Sequence, residues 1–301
     1  MRRFLAISFL LCASPLFAHT GVDIVTPDEL WHAWSFEPMV ILLLALTAVL
    51  YALGLRNSRG AATSRLQAVT FALGWFALFV SQVSPLHKLG SALFSAHMTQ
   101  HELLMLIAAP LLVASRPLAT FLWAFPQRWR MSLGDFSKTT PFARSWQFIT
   151  LPLVAWSVHA AALWLWHIPF LYQSTLESEW IHALQHTSFL GSALLFWWAL
   201  MQEQRVRNYG ASVAYIFTTA IHGGALGGLL TFAPSIWYPI YAGRTAAWGL
   251  SPLEDQQLGG LIMWVPSGVV FLVIGLWRFA RWLQESERRV LLSSVATISR
   301  D

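Results

Sequence analysis

The stretch ALFSAHMTQHELLMLIAAPLLVA at 92–114 decides the fold and also points to a site. Its apolar run matches the roughly 20 residues that an α-helix needs to cross a bilayer. His97 and His101 lie near its beginning, and an imidazole inside a bilayer is unfavourable unless it has a partner. The segment therefore predicts a membrane-spanning helix with a functional polar face.

Similar apolar runs recur along the chain. Of the 301 residues, 56% are hydrophobic and only 11% are charged, whereas ordinary soluble domains carry about a quarter charged residues. We therefore expect an all-α membrane protein, a seven-transmembrane-helix bundle whose membrane domain covers 36–280. The predicted spans are 36–55, 66–84, 92–114, 147–166, 183–201, 212–232 and 258–280.

The positive charges predict the orientation of this bundle. Connections after the first, third, fifth and seventh spans hold fifteen Lys and Arg, whereas the opposite connections hold only Lys88 and Arg244. Because cytoplasmic loops carry the excess of positive charge, the N-terminus is predicted outside and the tail 281–301 in the cytoplasm. Loop topology thus explains the net charge of +5, and no nucleic-acid partner is expected.

Residues 1–18 have the pattern of a secretory signal peptide. Two arginines precede an apolar core, and Ala18 ends the approach to a cleavage site. Residues 19–35 then form an extracytoplasmic segment. The single cysteine, Cys12, lies inside this signal, so the mature chain is expected to have no thiolate chemistry.

Histidines fall repeatedly near the extracytoplasmic ends of the spans. Two His-x-x-x-His pairs occur in the third and fifth spans, and residues four apart share one helix face, about 6 Å from each other. His159 lies deeper and is expected to bridge two helices by a hydrogen bond. The pattern predicts one shared site built from His97, His101, His167, His182, His186 and His222.

The residue types at this predicted site favour copper. Imidazole suits copper, zinc and iron, and thioether sulfur shifts the preference towards Cu(I). Few acidic residues lie near the spans, which argues against a carboxylate-rich di-iron site. Met98, Met105 and Met263 are predicted as auxiliary ligands, and Asp255 or Glu177 as partners that orient an imidazole.

These motifs resemble the seven-helix CtaG family of cytochrome c oxidase assembly factors. The resemblance rests on blocks between about 95 and 265: HMTQHELLM at 97–105, LWHIPFLY at 165–172, HALQHTSFL at 182–190, FWW at 196–198, HGGALG at 222–227 and DQQLGGLIMW at 255–264. One departure is Gln185, where the family is expected to have Glu.

The resemblance implies a non-enzymatic assembly factor of the bacterial inner membrane, needed for an active oxidase and acting in copper delivery. Its implied partners are cytochrome c oxidase subunits and periplasmic copper chaperones.

Three other functions remain open from the sequence alone. A b-type heme protein uses histidines of two helices as axial ligands, a metal transporter needs polar groups along the whole path, and a metal-free scaffold needs histidines only as helix bridges. The number of ions is also open, because four ligands fill a tetrahedral site and six histidines are enough for two.

Overall fold

The computed structural model describes residues 25–59, 62–201 and 209–298, and these form mainly α-helices. A 3-10 helix, Leu30–His32, precedes the first long helix, and the connection 232–251 contains two more, Pro239–Tyr241 and Thr245–Trp248. The predicted signal peptide lies outside the described residues. In chain order the helices are α1 (Pro38–Ser58), α2 (Arg65–Val83), α3 (Pro85–Ala92), α4 (Phe94–Ser115), α5 (Pro117–Trp123), α6 (Gln127–Ser137), α7 (Thr140–Ile149), α8 (Pro152–Trp166), α9 (Pro169–Glu177), α10 (Glu179–Met201), α11 (Tyr209–Thr231) and α12 (Pro252–Ile298).

All seven segments predicted to span the membrane are helical. Within the described ranges, α1, α2, α4, α11 and α12 are long and apolar enough to cross a bilayer, and a sixth span results if α7 and α8 form one crossing bent by 61°. The bend falls at Pro152, which has no N–H with which to continue the helix. The part of the chain that the structure describes is therefore helical throughout its regular elements, and the protein is a multi-pass membrane protein.

The fifth predicted segment corresponds to α10, which has 23 residues. It is not among those five helices, because His182, Gln185 and His186 interrupt its apolar sequence. These polar residues lower the mean hydropathy of α10, and they form the polar face of the helix.

Helices α11 and α12 pack through glycines at direct backbone contact. A Cβ atom added at Gly260 would lie 2.7 Å from the Gly227 carbonyl oxygen and 2.6 Å from the Thr231 nitrogen. Small residues allow this approach, which is how membrane helices gain packing energy without a hydrophobic driving force between them.

The beginning of α12 also fixes the beginning of α4. The buried Asp255 carboxylate accepts hydrogen bonds from the backbone N–H groups of Phe94, at 2.6 Å, and Ser95, at 3.1 Å. These N–H groups belong to the first turn of α4, where no carbonyl within the helix is available to them. One turn further along α12, the Phe94 ring occupies the space that a side chain at Gly259 would need.

The middle of α4, Leu103–Ala108, is a π-helix. The N–H of Ala109 donates to the Leu104 carbonyl, five residues back, and Pro110 has no N–H to donate to the next carbonyl, that of Met105. The Trp197 indole N–H supplies the missing bond to Met105 at 2.8 Å. A π-segment is rare and is often found beside a functional site.

The glycine contact makes a specific prediction about stability. We expect Gly260→Ala to lower the unfolding free energy by about 1–3 kcal/mol, because the helices must separate to admit the methyl group. Gly228→Ala is the matched control, because nothing lies within 4 Å of the added Cβ atom there. Thermal unfolding in detergent measures both, and equal melting temperatures for the two variants would contradict the assigned contact.

Candidate metal centre

Four histidines from α4 and α10 meet inside the bundle. Within each helix the rings lie one turn apart, with centroids separated by 4.5 Å for His97 and His101 and by 4.1 Å for His182 and His186. Across the two helices, His97 lies 5.2 Å from His182, and His101 lies 5.2 Å from His186. We call these four residues the histidine cluster. The two predicted His-x-x-x-His pairs therefore face each other.

Every member of the histidine cluster has at least one buried ring nitrogen without a hydrogen-bond partner among the described residues. These atoms are Nδ1 of His97, both ring nitrogens of His101, and Nε2 of His182 and of His186. A buried polar atom with no partner is unfavourable by roughly 1–3 kcal/mol. Several such atoms around one point favour a site for a ligand that accepts imidazole lone pairs.

Two glutamine side chains orient the imidazoles. The Nε2–H of His97 donates to Oε1 of Gln185, and the Nδ1–H of His186 donates to Oε1 of Gln82, both at 3.2 Å. A proton held on one ring nitrogen leaves a lone pair on the other, so Nδ1 of His97 and Nε2 of His186 are available to a metal. Each glutamine thereby takes the role that a carboxylate often has beside a metal-bound histidine.

The geometry of the histidine cluster fits a metal ion. One ring nitrogen each from His97, His182 and His186 lies within 4.8 Å of the others. An ion about 2 Å from each nitrogen draws them closer together, which small rotations of the imidazole rings achieve. The His101 ring lies beside those of His97 and His186, with centroids 4.5 Å and 5.2 Å away, but His101 is outside this group of three, so the geometry supports three imidazole donors.

His87 packs against the histidine cluster, and both of its ring nitrogens are hydrogen-bonded to protein groups. Its Nε2–H donates to Glu37 at 2.9 Å, and its Nδ1 accepts from the Gln100 amide at 2.9 Å. The same amide nitrogen donates to the Ser81 carbonyl, which fixes the orientation of the amide. The His87 ring stacks on His182, with centroids 5.2 Å apart.

Glu37 directly precedes α1, and its side chain is 39% exposed. The hydrogen bond from His87 lowers the pKa of the Glu37 carboxyl, although partial burial acts in the opposite direction. Glu37 is therefore the acidic residue that holds His87 in place.

His167 lies at the edge of the histidine cluster, directly after the last residue of α8. Its Nδ1–H donates to the Leu163 carbonyl at 2.6 Å, and its buried Nε2 has no partner among the described residues. Its ring is 6.2 Å from that of Phe189, which packs against His101 at 4.6 Å.

His222 lies elsewhere, so the structure does not gather all six predicted histidines at one point. Its ring contacts the edge of Trp156 on α8, with centroids 5.3 Å apart. His159, also on α8, bonds to Ser192 on α10 at 3.1 Å, which confirms the predicted helix bridge.

The predicted sulfur ligands all lie in the apolar core. Met98 is fully buried and faces the position of Gly259 on α12, and Met105 and Met263 belong to the same packed core. Met105 lies four residues after His101, which would put both on one face of a regular α-helix, but the π-segment changes that spacing.

The two predicted acidic partners lie apart from the imidazoles that they were expected to orient. The Asp255 carboxylate bonds to the first turn of α4, and Glu177 is exposed at the end of α9.

Sequence patterns did not reveal Gln82, Gln185, Glu37 or His87 as parts of the site. Each is a single polar residue in or beside an apolar segment, and its contact is with another helix. Gln185 could have been predicted as part of the site, because it lies between two histidines on the same helix and departs from the pattern expected of the family.

Comparison with known proteins identifies the family. The sequence profile described as cytochrome c oxidase caa3 assembly factor matches residues 49–285. The chain belongs to this family. The match covers most of the described helices, including all four residues of the histidine cluster, and confirms the resemblance seen in the sequence motifs.

Curated relatives are longer than this chain. Uncharacterised proteins of Mycobacterium bovis and Mycobacterium tuberculosis are each 24% identical to it over 271 residues, which cover 85% of this chain and 40% of each relative. An uncharacterised protein of Mycobacterium leprae is 23% identical over 289 residues, covering 89% of this chain and 42% of the relative. The chain thus spans less than half the length of these relatives. No solved structure matches it.

The Glu37–His87 pair makes a prediction about pH dependence. Because the pKa of Glu37 is lowered in the folded protein, its ionised form stabilises the fold above the ordinary value of 4.5, and this contribution is lost as the pH falls through the lowered pKa. We expect Glu37→Gln to lose that part of the acid sensitivity, by at most about 1 kcal/mol because the carboxyl is half-exposed.

Thermal unfolding in detergent between pH 7 and pH 3 measures this effect. Glu179→Gln is the matched control, because Glu179 is an exposed residue at the start of α10. The assignment fails if Glu37→Gln retains the acid sensitivity of the wild type.

Proposed function

We propose that this chain binds copper through the histidine cluster and supports maturation of the copper centres of cytochrome c oxidase. The family supplies the oxidase assembly role. The observation that carries the copper step is the convergence of buried imidazole nitrogens, free of hydrogen-bond partners among the described residues, from two facing helices.

The donor set fits copper in either common oxidation state. Imidazole nitrogen is a good ligand for copper, and neutral imidazoles bind a metal without first losing a proton at neutral pH. Gln82 and Gln185 hold two of the rings in the required tautomer. When bound, copper would be carried cargo, and the residues around it would supply binding and orientation with no catalytic step.

The membrane arrangement that we propose has seven spans. At about 1.5 Å per residue the 23 residues of α10 reach about 35 Å, which is enough to cross the hydrocarbon core. Counting α10 and the bent α7–α8 pair with the five apolar helices gives seven crossings. The excess of Lys and Arg after alternate spans supports an orientation in which the histidine cluster faces the periplasm of a bacterial inner membrane.

This location suits the proposed partners. A site in the periplasmic half of the bilayer lies on the side where periplasmic copper chaperones are found, and the membrane location brings it beside oxidase subunits. The signal peptide at 1–18 is part of the same proposal, because it delivers the N-terminus to the periplasmic side.

The geometry of the histidine cluster disfavours a heme between α4 and α10. Ring centroids only 5.2 Å apart across the two helices leave no room for a macrocycle between them. A metal-free scaffold would need the histidines as helix bridges, yet several of their nitrogens have no protein partner within the described ranges.

Metal analysis of the purified full-length protein tests this proposal. After reconstitution with Cu(I), we expect stoichiometric copper in the wild type, one ion fewer in His97→Ala/His186→Ala, and no Soret band in either. His32→Ala is the matched control, since His32 is exposed and far along the chain from both helices. Wild-type protein that holds no copper would refute the copper step, and a Soret band would favour the heme protein.

A further inference from the structure

An apolar cavity of about 430 Å³ lies between α2 and α10. Its walls are almost entirely apolar, and they include Leu78 of α2, Leu112 of α4 and Leu194 of α10. The volume is in the range typical of binding sites for small molecules. The described residues that line this cavity include no member of the histidine cluster, so the cavity is a separate feature of the bundle.

The cavity is partly open at the surface of the bundle. Two of its lining residues, Leu118 of α5 and Gly191 of α10, are exposed. Gly191 lies midway along the 23 residues of α10. In the seven-span arrangement proposed above, an exposed position at this depth faces the hydrocarbon core of the bilayer. A hydrocarbon chain therefore reaches the cavity without passing through water.

The other end of the cavity lies beside two arginines. Val113 and Pro117 line the cavity on either side of Arg116, which lies at the turn between α4 and α5. Trp146, another lining residue, follows Arg144 by two positions on α7. Both arginines are exposed. The chain thus carries two positive charges directly next to the lining residues of an apolar cavity.

The connections at this end of the bundle have a large excess of positive charge. The segments 56–65 and 116–146 hold three and five Lys or Arg respectively, and their single acidic residue is Asp135. The Asp135 carboxylate is paired with Lys138 at 3.3 Å. An anionic group is therefore complementary to this end of the cavity, and basic pockets between membrane helices are typical of sites for anionic lipid headgroups.

One polar atom of the cavity wall has no partner. Trp198 lines the cavity near the end of α10, and its ring meets that of Trp146, with centroids 5.6 Å apart. The indole Nε1 of Trp198 is buried and has no hydrogen-bond partner among the described residues. Because an indole N–H can only donate a hydrogen bond, it favours a ligand that brings an acceptor oxygen to the basic end of the cavity.

We propose that this cavity binds one anionic glycerophospholipid. An acyl chain would fill the space between α2 and α10, an ester carbonyl would accept from Trp198, and the phosphate would lie beside Arg116 and Arg144. A polyprenyl quinone would match the apolar walls and the indole, but it carries no charge for the arginines. The inference uses the proposed membrane arrangement and does not require that the histidine cluster binds copper.

The bound lipid would also connect the two helices that hold His186. The hydrogen bond between Gln82 and His186 joins α2 to α10 beyond one end of the cavity. An acyl chain fills the space between the same helices further along. Because a ligand that binds only the folded state stabilises it, addition of the lipid is expected to raise the melting temperature.

Native mass spectrometry of the full-length protein in detergent tests the headgroup. Titration with dioleoyl phosphatidylglycerol is expected to show one tightly bound lipid per chain, preferred roughly twentyfold over dioleoyl phosphatidylcholine, since each nearby basic residue contributes about fivefold. Arg116→Gln/Arg144→Gln is expected to lose most of this preference. Arg128→Gln/Lys138→Gln is the matched control, because it removes the same charge at positions that neither line the cavity nor adjoin a lining residue.

A cavity-filling variant tests the acyl-chain site. A Cβ atom added at Gly191 meets nothing within 4 Å, so Gly191→Phe is expected to fold and to lose the tightly bound lipid. Gly268→Phe on α12 is the matched control, because the space beside it is equally open and Gly268 does not line the cavity. His97→Ala/His186→Ala is expected to keep the lipid, which separates this proposal from the copper proposal.

Three results would overturn the proposal. These are an equal affinity of the wild type for the two phospholipids, retention of the tight lipid by Gly191→Phe, and displacement of phosphatidylglycerol from the wild type by an equimolar polyprenyl quinone. An equal loss of the headgroup preference in the two charge variants would overturn the assignment of the phosphate to Arg116 and Arg144.

Photocrosslinking of the wild type tests the position of the lipid without any variant. A phosphatidylglycerol with a diazirine midway along one acyl chain is expected to label peptides that contain Leu78, Leu112 or Leu194. This label should persist in an excess of phosphatidylcholine, whereas label at Leu42, which is 61% exposed on α1, should disappear. An equal loss of label at all these positions would contradict a specific site.

Discussion

The buried carboxylate of Asp255 is the interaction on which the rest of the site depends. It accepts hydrogen bonds from the first turn of α4, where the helix dipole favours a negative charge. One turn later, Gly259 leaves room for the Phe94 ring, and Gly260 brings α12 into backbone contact with α11. These contacts fix the position of His97, one turn into α4, without any contribution from the imidazole rings.

The location of the histidine cluster follows from this anchoring. The π-segment of α4 begins directly after Glu102, and Trp197 of α10 bonds to the Met105 carbonyl that the π-segment leaves free. This bond ties α10 to α4 just beyond His101. Local backbone chemistry at Pro110 thus contributes to the pairing of the two helices that carry the four imidazoles.

Helical periodicity predicted the local part of this arrangement well. Residues four apart share a face in any regular helix, so the pairing of His97 with His101 and of His182 with His186 could be predicted from spacing alone. The same argument fails for Met105, because Pro110 and the π-segment change the spacing. It also fails for His222, since depth within a span does not reveal which neighbouring helix a side chain meets.

Contacts between helices were the part that the sequence could not reveal. Gln82 meets His186 from a helix more than a hundred residues earlier, and no pattern within α2 distinguishes it from other polar residues. Asp255 illustrates the same difficulty: an acidic residue near the outer end of a span suggested an imidazole partner, but the structure places its carboxylate on backbone N–H groups.

In the proposed function, the histidine cluster binds copper that is destined for the oxidase. The most direct measurement is the copper and heme content of cytochrome c oxidase purified from the host bacterium carrying wild-type protein or His97→Ala/His186→Ala. We expect the variant strain to make an oxidase that retains heme and is deficient in copper, with recovery when copper is added to the medium. Normal copper content in the oxidase of the variant strain would contradict it.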